Sequence, residues 1–457
     1  MTKRNYTNKV AATAGAVLLL ATAGHVSAQS ADALIDKLVS KGVLTVKEAN
    51  DLRDESDKNF TTALQTKNGM SDWVQALKFN GDLRARYEAF NTDNKQFVDR
   101  QRMRYRMRFG VVAQLTDNME AGFKLTSSDP GTTGGDPISG NTTFQNNADK
   151  KFLYIDQAYG KWSPLNGPHW FSSLTIGKME NPFVFSDMVF DPDYTPEGLA
   201  MNAAYTINDK HAVKLNAGYF VLDELSGSNH DPSLVGAQLR WDATWTPTLT
   251  STIGAAYLAV INENMLTNGA VQNVNRGNTR VGATGALAYG YTPFIVDASV
   301  TYNFAKFPFY TGPCPLKLGA DYMYNNGAPG SGNDVNGRPV NNSAYSVGVQ
   351  LGKSGKKGTW DIAYTWKDLG ANAWWEELTD SDFGAFYAAG NSPANSGSNV
   401  GYGAGTNTKG HILKFSYSPY NSWTFTVKWF LTSLGNPFPT TETSSMSRLQ
   451  LDANWKF

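Results

Sequence analysis

The chain of 457 residues contains a single cysteine, Cys314, so no internal disulfide is available to it. Its five histidines, His25, His169, His211, His230 and His411, lie too far apart for any metal-ligand spacing. With 40 basic and 40 acidic residues there is no net charge to attract a nucleic acid. Beyond the N-terminal segment no apolar run approaches the 18 or so residues that a membrane helix needs, and mean hydropathy is below zero. A helical membrane protein is therefore excluded. So is a nucleotide-binding loop, because Gly352-Lys353-Ser354-Gly355-Lys356-Lys357-Gly358-Thr359 has Val347 where the required first glycine would stand. It reads instead as a basic hairpin turn. Asp334 and Asn336 in a glycine-rich stretch lack the acidic partner of a calcium loop. No metal and no cofactor is expected.

Aromatic residues and glycine are abundant: 12% of residues are Phe, Trp or Tyr, and there are 43 Gly. These favour strands, tight turns and membrane interfaces. The decisive segment is Arg100, Arg102, Arg104, Arg106 and Arg108, alternating with Gln101, Met103, Tyr105, Met107 and Phe109. A strand here sets five guanidinium groups on one face and a mostly apolar row on the other. Same-face neighbours are about 6.6 Å apart, where like charges repel by about 0.6 kcal/mol in water and several-fold more at lower dielectric. The basic face therefore needs water and the other face an apolar contact. A wall with lipid outside and water inside meets both needs.

The same alternation recurs along Val213–Tyr219, Val235–Ala243, Phe294–Tyr302, Trp360–Trp366, Leu413–Tyr417 and Trp423–Trp429. About sixteen such segments run from Ala76 to Phe457. Alternate connections are short: Thr116–Asn118, Pro164–His169, Asn208–Lys210, Thr246–Pro247, Ala305–Pro313, Lys353–Gly358 and Pro419–Asn421. Among the others, Asp129–Lys150, Asn181–Gly198, Asn262–Arg280, Asn325–Asn342 and Asp368–Thr408 are long and rich in Gly, Asn, Ser and Pro. This parity predicts an all-β fold: a closed antiparallel transmembrane barrel of about sixteen strands, at residues 76–457, with short periplasmic turns and long outer loops. A barrel of that size leaves an aqueous channel.

Upstream, Lys3, Arg4 and Lys9 precede an apolar stretch from Val10 to Ala21, and Val26-Ser27-Ala28 offers a cleavage site; residues 1–28 read as a signal peptide. Residues 29–59 read as a small periplasmic helical hairpin, with Leu34, Ile35, Leu38 and Val39 at helical spacing, a break at Gly42 and a capping-box pattern from Thr45 to Glu48. Residues 60–75 read as a linker. The C-terminus alternates Leu449, Leu451, Ala453, Trp455 and Phe457 with polar residues, and this resembles the closing strand of Gram-negative outer-membrane barrels.

Together the signal peptide, ALIDKLVSKGVLTVKEANDL at 33–52, GDLRARYE at 81–88, the arginine-rich second strand, IGKMENPFVFSDMVFDPDYTPEGLA at 176–200 and the terminal aromatic strand resemble the putative-porin family of Gram-negative bacteria. The hairpin before the first strand is also similar to that of phosphate- and pyrophosphate-selective porins. That resemblance implies the outer membrane, contact with its lipid, a homotrimer and an arginine-lined anion path. The dense basic run that phosphate specificity calls for is missing, because the lysines are scattered.

The expected function is passive diffusion of small hydrophilic solutes and ions, with no enzymatic activity. The pore-lining candidates are Arg84, Arg86, Arg100, Arg102, Arg104, Arg106 and Arg108. They face a constriction loop that carries Asp187, Asp191, Asp193 and Glu197. Opposed rows of charge would orient water and polar solutes. In the plainer alternative the arginines pair with Asp and Glu of neighbouring strands and hold the wall. Two other readings stay open: a structural or adhesive barrel with a blocked lumen, and an outer-membrane hydrolase, which the scattered histidines disfavour. Trp374, Trp375, Glu376 and Glu377 are expected to form a short helix in the seventh outer loop, as a lid or a surface segment.

Overall fold

The computed structural model describes residues 71–457 except 96, 132–133, 268–270, 272–275, 336, 388–400 and 437–443. Chain contacts divide it into two units, Met1–Gln75 and Ala76–Phe457. The expected signal peptide and helical hairpin, and most of the expected linker, lie outside the described residues.

Sixteen strands form the wall. They are β1 (Val74–Thr92), β2 (Arg100–Leu115), β3 (Met119–Ser127), β4 (Leu153–Asn166), β5 (Trp170–Lys178), β6 (Glu197–Asn208), β7 (His211–Val221) and β8 (Ser233–Thr246). Then follow β9 (Leu249–Ile261), β10 (Pro293–Phe304), β11 (Cys314–Asn325), β12 (Ser343–Gly352), β13 (Thr359–Leu369), β14 (Thr408–Tyr420), β15 (Trp423–Leu434) and β16 (Met446–Lys456). Each pairs antiparallel with its sequence neighbours, and β1 pairs with β16 to close the sheet, Arg86 opposite Asp452 and Phe90 opposite Arg448. Closure removes both edges, so every wall strand has hydrogen-bonding partners on two sides.

The expected turn parity holds to within a few residues. The short connections fall at 116–118, 167–169, 209–210, 247–248, 305–313, 353–358 and 421–422. Two prolines expected in turns lie within strands beside bulges that absorb the missing N–H: Pro164 in β4, between Trp162 and Leu165, and Pro419 in β14, between Tyr417 and Tyr420.

Facing follows the period-2 pattern. On β2, Met103, Met107 and Phe109 are exposed on the outer surface while Arg104 and Arg106 are buried inside. Aromatic pairs sit near the short turns, Trp170 with Tyr205 at 4.4 Å and Trp423 with Trp455 at 4.8 Å, as an interfacial belt requires. At the seam, Gly81 exchanges backbone hydrogen bonds with Phe457, and a Cβ on Gly81 would lie 2.5 Å from the Phe457 ring. Glycine is needed there for close approach. Cys314, at the start of β11, is fully buried.

The interior is not uniform. Inward residues at the outer ends of β6 to β13, namely Ala200, Phe220, Leu234, Leu258, Ile295, Met323, Ala344 and Leu369, join one apolar cluster with residues of the long loops. Nearer the short turns the inner wall is polar and charged, with Lys214–Asp242 at 2.6 Å, Arg240–Asp297 at 2.9 Å and Lys414–Asp361 at 2.9 Å.

Candidate functional site: two loops folded into the barrel

Loop 3 (179–196) leaves the wall where Gly177 and Gly198 face each other, both at positive φ. A Cβ on either would collide with a neighbouring carbonyl, at 2.3 Å for Gly177 and 2.1 Å for Gly198. The loop then folds as a chain of side-chain-capped turns. The Asn181 side-chain Oδ1 accepts from the Phe183 N–H at 3.0 Å, and the Asp191 carboxylate accepts from the Asp193 N–H at 2.8 Å. Val184 is anchored to the wall by both its backbone groups, donating to Gln238 Oε1 at 2.9 Å and accepting from Gln238 Nε2 at 2.7 Å. Asn216 and Asn202 extend that amide ladder at 3.0 and 2.8 Å.

Loop 7 (370–407) comes in from the opposite direction and packs on loop 3. Trp374 is fully buried and donates its indole N–H to the Val189 carbonyl at 2.8 Å; Phe190 meets the Trp374 ring edge-on at 6.0 Å and stacks on Tyr194 at 5.6 Å. The Asp191 N–H donates to the Leu378 carbonyl at 2.8 Å, and the Ser381 N–H to Asp191 Oδ2 at 2.7 Å. The expected helix at 374–377 is absent and the segment is a series of turns. Its aromatic rings and carboxylates are consumed by packing: Glu376 is fully buried against Arg280 at 2.7 Å and accepts from the backbone N–H groups of Arg276 and Asn278. Tertiary contacts have overridden the local pattern, and the segment is neither an exposed lid nor a surface loop.

The arginine row meets these loops directly. Arg106 reaches Asp193 at 2.5 Å and Asp82 at 3.0 Å; Arg108 reaches the same two carboxylates at 2.9 and 2.5 Å. Arg102 pairs with Glu88 at 2.5 Å, and Arg104 donates to the Asn141 carbonyl at 3.0 Å with Asp129 at 3.4 Å. Arg86 binds Asp452 at 2.7 Å and Asp382 at 3.0 Å, while Arg84 donates to Asn141 Oδ1 at 2.7 Å. Arg100 is exposed at the outer end of β2. Arg448 of β16 completes the group, bonded to Glu88 at 2.6 Å, to Asp382 at 2.9 Å and to the Tyr402 hydroxyl. Six guanidinium groups thus share six carboxylates, those of Asp82, Glu88, Asp129, Asp193, Asp382 and Asp452, while Arg84 bonds the Asn141 amide.

The four loop carboxylates fare differently. Asp193 meets Arg106 and Arg108. Asp187 instead crosses to Lys367 of β13 at 2.7 Å, which also lies 3.5 Å from Asp380. Asp191 is buried in the loop 3 to loop 7 contact, and Glu197 is largely exposed, paired with Lys178 at 3.0 Å. Loop 3 is therefore a strut clamped by salt bridges at both ends. Burial alone would raise every one of these carboxyl groups, and the cations decide which stay ionised. Arg106 and Arg108 hold Asp193 below its ordinary range, and Lys367 does the same for Asp187. Asp382, also buried, is held well below by Arg86 and Arg448. Asp191 has no cation, and burial together with Asp193 and Asp380 raises it well above. Burial lifts Asp380 to about 6, because Lys367 is shared with Asp187 and Asp382 adds repulsion.

Glu88, Lys367, Arg448 and Asp452 belong to this site and escaped the sequence reading, while Trp374 and Asp382 were expected in the seventh loop but not in contact with loop 3 or the arginines. For the wall residues a signal was present: a closed barrel makes β1 and β16 neighbours, so the inward Arg448 and Asp452 fall beside Arg86 and Glu88.

Against known proteins, one portion of the barrel has a family match. Residues 91–278 match the family described as Putative porin. Those residues run from the end of β1 through loop 3 to the loop after β9, and with the closed barrel they place the chain in the outer membrane. No curated protein sequence matches. Solved structures similar in fold include OprB of Pseudomonas putida, at 12% identity and a TM-score of 0.49 over 83% of this chain and 94% of that one. OmpF of Salmonella typhi gives 10% identity and a TM-score of 0.46 over 83% and 97%. A loop-deleted OmpT of Vibrio cholerae gives 11% and 0.44 over 84% and 99%.

Proposed function

We propose that this chain is a porin for passive diffusion of small hydrophilic solutes and ions, and not an enzyme, with a route narrowed by loops 3 and 7. The observation that carries this reading is the division between an apolar outer face and a polar, charged inner wall in a closed sixteen-strand barrel, whose portion 91–278 resembles porins. In this reading the arginine row fastens the inward loops. The anion preference suggested by an unpaired row loses weight, because nearly every guanidinium already has a carboxylate. The homotrimer implied by the family resemblance is part of the proposal, and native mass spectrometry of the detergent-extracted protein tests it.

A second reading has a specific observation behind it. Trp374, Met188, Val189 and Phe190 are buried in an apolar cluster within the barrel, as a blocked, structural barrel would have them. Single-channel recording in planar bilayers separates the two. Discrete conductance steps from folded protein support the porin; folded barrels that carry no current in any salt favour the blocked barrel.

A further inference from the structure

The short turns carry their charge unevenly. Turns 305–313 and 353–358 hold Lys306, Lys353, Lys356 and Lys357 and no acidic residue, whereas the other short turns together hold Lys210, Asp117 and Asp209. Lys306, Lys353, Lys356 and Lys357 are exposed, and among the described residues none of their ammonium groups is in an ion pair. Asp361, which reaches turn 353–358 by accepting the Ser354 N–H at 3.1 Å, is buried and paired with Lys414.

The two turns are fastened to each other. The Tyr310 hydroxyl donates to the Lys353 carbonyl at 2.9 Å and accepts from the Lys353 N–H at 3.1 Å. On the far side, the Gly355 N–H donates to Ser418 Oγ and the Lys357 N–H to Asn421 Oδ1, each at 2.8 Å. The backbone that carries the lysines is therefore fixed while their charges stay uncancelled.

Beside them runs a row of aromatic rings. Tyr302 meets Phe304 at 5.0 Å, Phe304 meets Phe307 at 5.7 Å, and Trp360 meets Phe307 at 6.0 Å and Tyr310 at 5.6 Å. The Trp360 indole N–H donates to the Phe309 carbonyl at 2.6 Å; Phe309 has φ +56° and is 97% exposed. A phenylalanine held that bare is costly in water and is stabilised at the edge of an acyl layer. Lys306 and Lys353 come two residues after Phe304 and Leu351, outward residues at the ends of β10 and β12. Two residues of extended chain span about 7 Å, which carries an ammonium group from the acyl boundary to headgroup level.

We propose that turns 305–313 and 353–358 form a docking site for an anionic phospholipid of the periplasmic leaflet, the lysines meeting its phosphodiester and Phe309 its acyl boundary. Charge complementarity selects the headgroup, and continuity of the aromatic row with the lipid-facing wall selects a lipid over a soluble anion. The site rests on the outer-membrane placement and on short turns that face the periplasm, and not on the passage of solutes.

The test is native mass spectrometry of the full-length folded protein in detergent, with phosphatidylglycerol or phosphatidylcholine added at equal concentration. Phosphatidylglycerol is expected to be retained in preference. Lys353→Gln, Lys356→Gln and Lys357→Gln combined are expected to lower its retention by roughly tenfold or more and to leave phosphatidylcholine unchanged. Replacing the same three lysines by arginine is expected to keep the preference. Heat-modifiable migration confirms that the variants are folded. Equal retention of the two lipids, or a preference that survives the glutamine variant, overturns the inference. Displacement by excess inorganic phosphate reassigns the lysines to a free anion and overturns it too, as does binding of soluble cell-wall fragments that the glutamine variant loses while keeping phosphatidylglycerol.

A second measurement needs no variant. Vesicles of phosphatidylglycerol with phosphatidylcholine, carrying the native protein and a spin-labelled lipid of either headgroup, report which lipid is enriched at the barrel wall. Enrichment of the anionic lipid at low salt is expected to fall at high salt, and its absence at low salt overturns the proposal. Lipid preference is read without current, so barrels that conduct nothing overturn the porin reading and leave this site standing.

Discussion

The two sides of the barrel hold the same inward loops by different chemistry. Along β6 to β13, apolar inward residues at the outer ends bury Phe183, Met188, Val189 and Trp374. Along β1, β2 and β16 the fastening is ionic, with Arg106, Arg108, Arg86 and Arg448 on Asp193 and Asp382. Apolar burial is indifferent to pH and little affected by salt, whereas the ionic clamp depends on which carboxyl groups are charged. A loop gripped in both ways stays docked when either grip weakens alone, and partial release is the expected response to acid, base or mutation.

The largest effect is expected from Trp374→Ala, which deletes a fully buried side chain and its hydrogen bond to Val189. The loss of about 3–5 kcal/mol is concentrated in the loop 3 to loop 7 contact, while the wall keeps its ladder. Limited proteolysis should then cut loop 7 in barrels that still show heat-modifiable migration. A protease-resistant loop 7 would mean that the apolar side is not the main grip.

Next comes Asp193→Ala, which strands Arg106 and Arg108. Asp193 is about a quarter exposed, so a cost of about 2–3 kcal/mol is expected, below that of breaking a fully buried pair. Open-channel current noise should rise as one end of the strut comes loose. Unchanged noise would assign the fastening to Lys367 and Asp187 alone.

The comparison is sharpened by pH. Asp380 titrates near 6 in the docked arrangement against an ordinary 3.8, so between about pH 4 and 6 the docked form holds a proton that the released form has lost. Docking is therefore strongest at the acidic end of that window and weakens as pH rises through about 6. Conductance of the native protein should climb across the interval, and Asp380→Asn should flatten the climb. A fall in conductance over the same range would contradict the assignment.

The smallest effect belongs to Arg100→Ala. Arg100 shares the inward alternation of its strand, yet it stands exposed at the outer end, beyond the carboxylates. Stability is expected to shift by no more than about 0.5 kcal/mol, measured by the temperature at which the barrel loses its compact gel mobility.

These contrasts also show what could be read in the residues. Sixteen strands and their turn parity were legible because alternation every second residue and short Asn-, Asp- or Pro-containing turns are local signals. The inward aim of Arg102 to Arg108 was legible for the same reason. Loop 7 was not: Trp374 and Glu376 carry no period, and their partners Val189 and Arg280 lie far off in sequence, joined only once both loops enter the barrel. Of the four carboxylates expected opposite the arginines, Asp193 alone meets them. Loop 3 turns twice between Asp187 and Asp193, and alternation says nothing about a segment that is not a strand.

The seam between β1 and β16 has a consequence for assembly. Its strands are made first and last, so the barrel cannot close until the whole wall exists, and closure has to select one register among several. Arg86 opposite Asp452 rewards the native alignment, whereas a slide of two residues in one sense would set Glu88 against Asp452 and oppose like charges. The pairs that tether the interior thus also act as a proofreading key for the final zipping step.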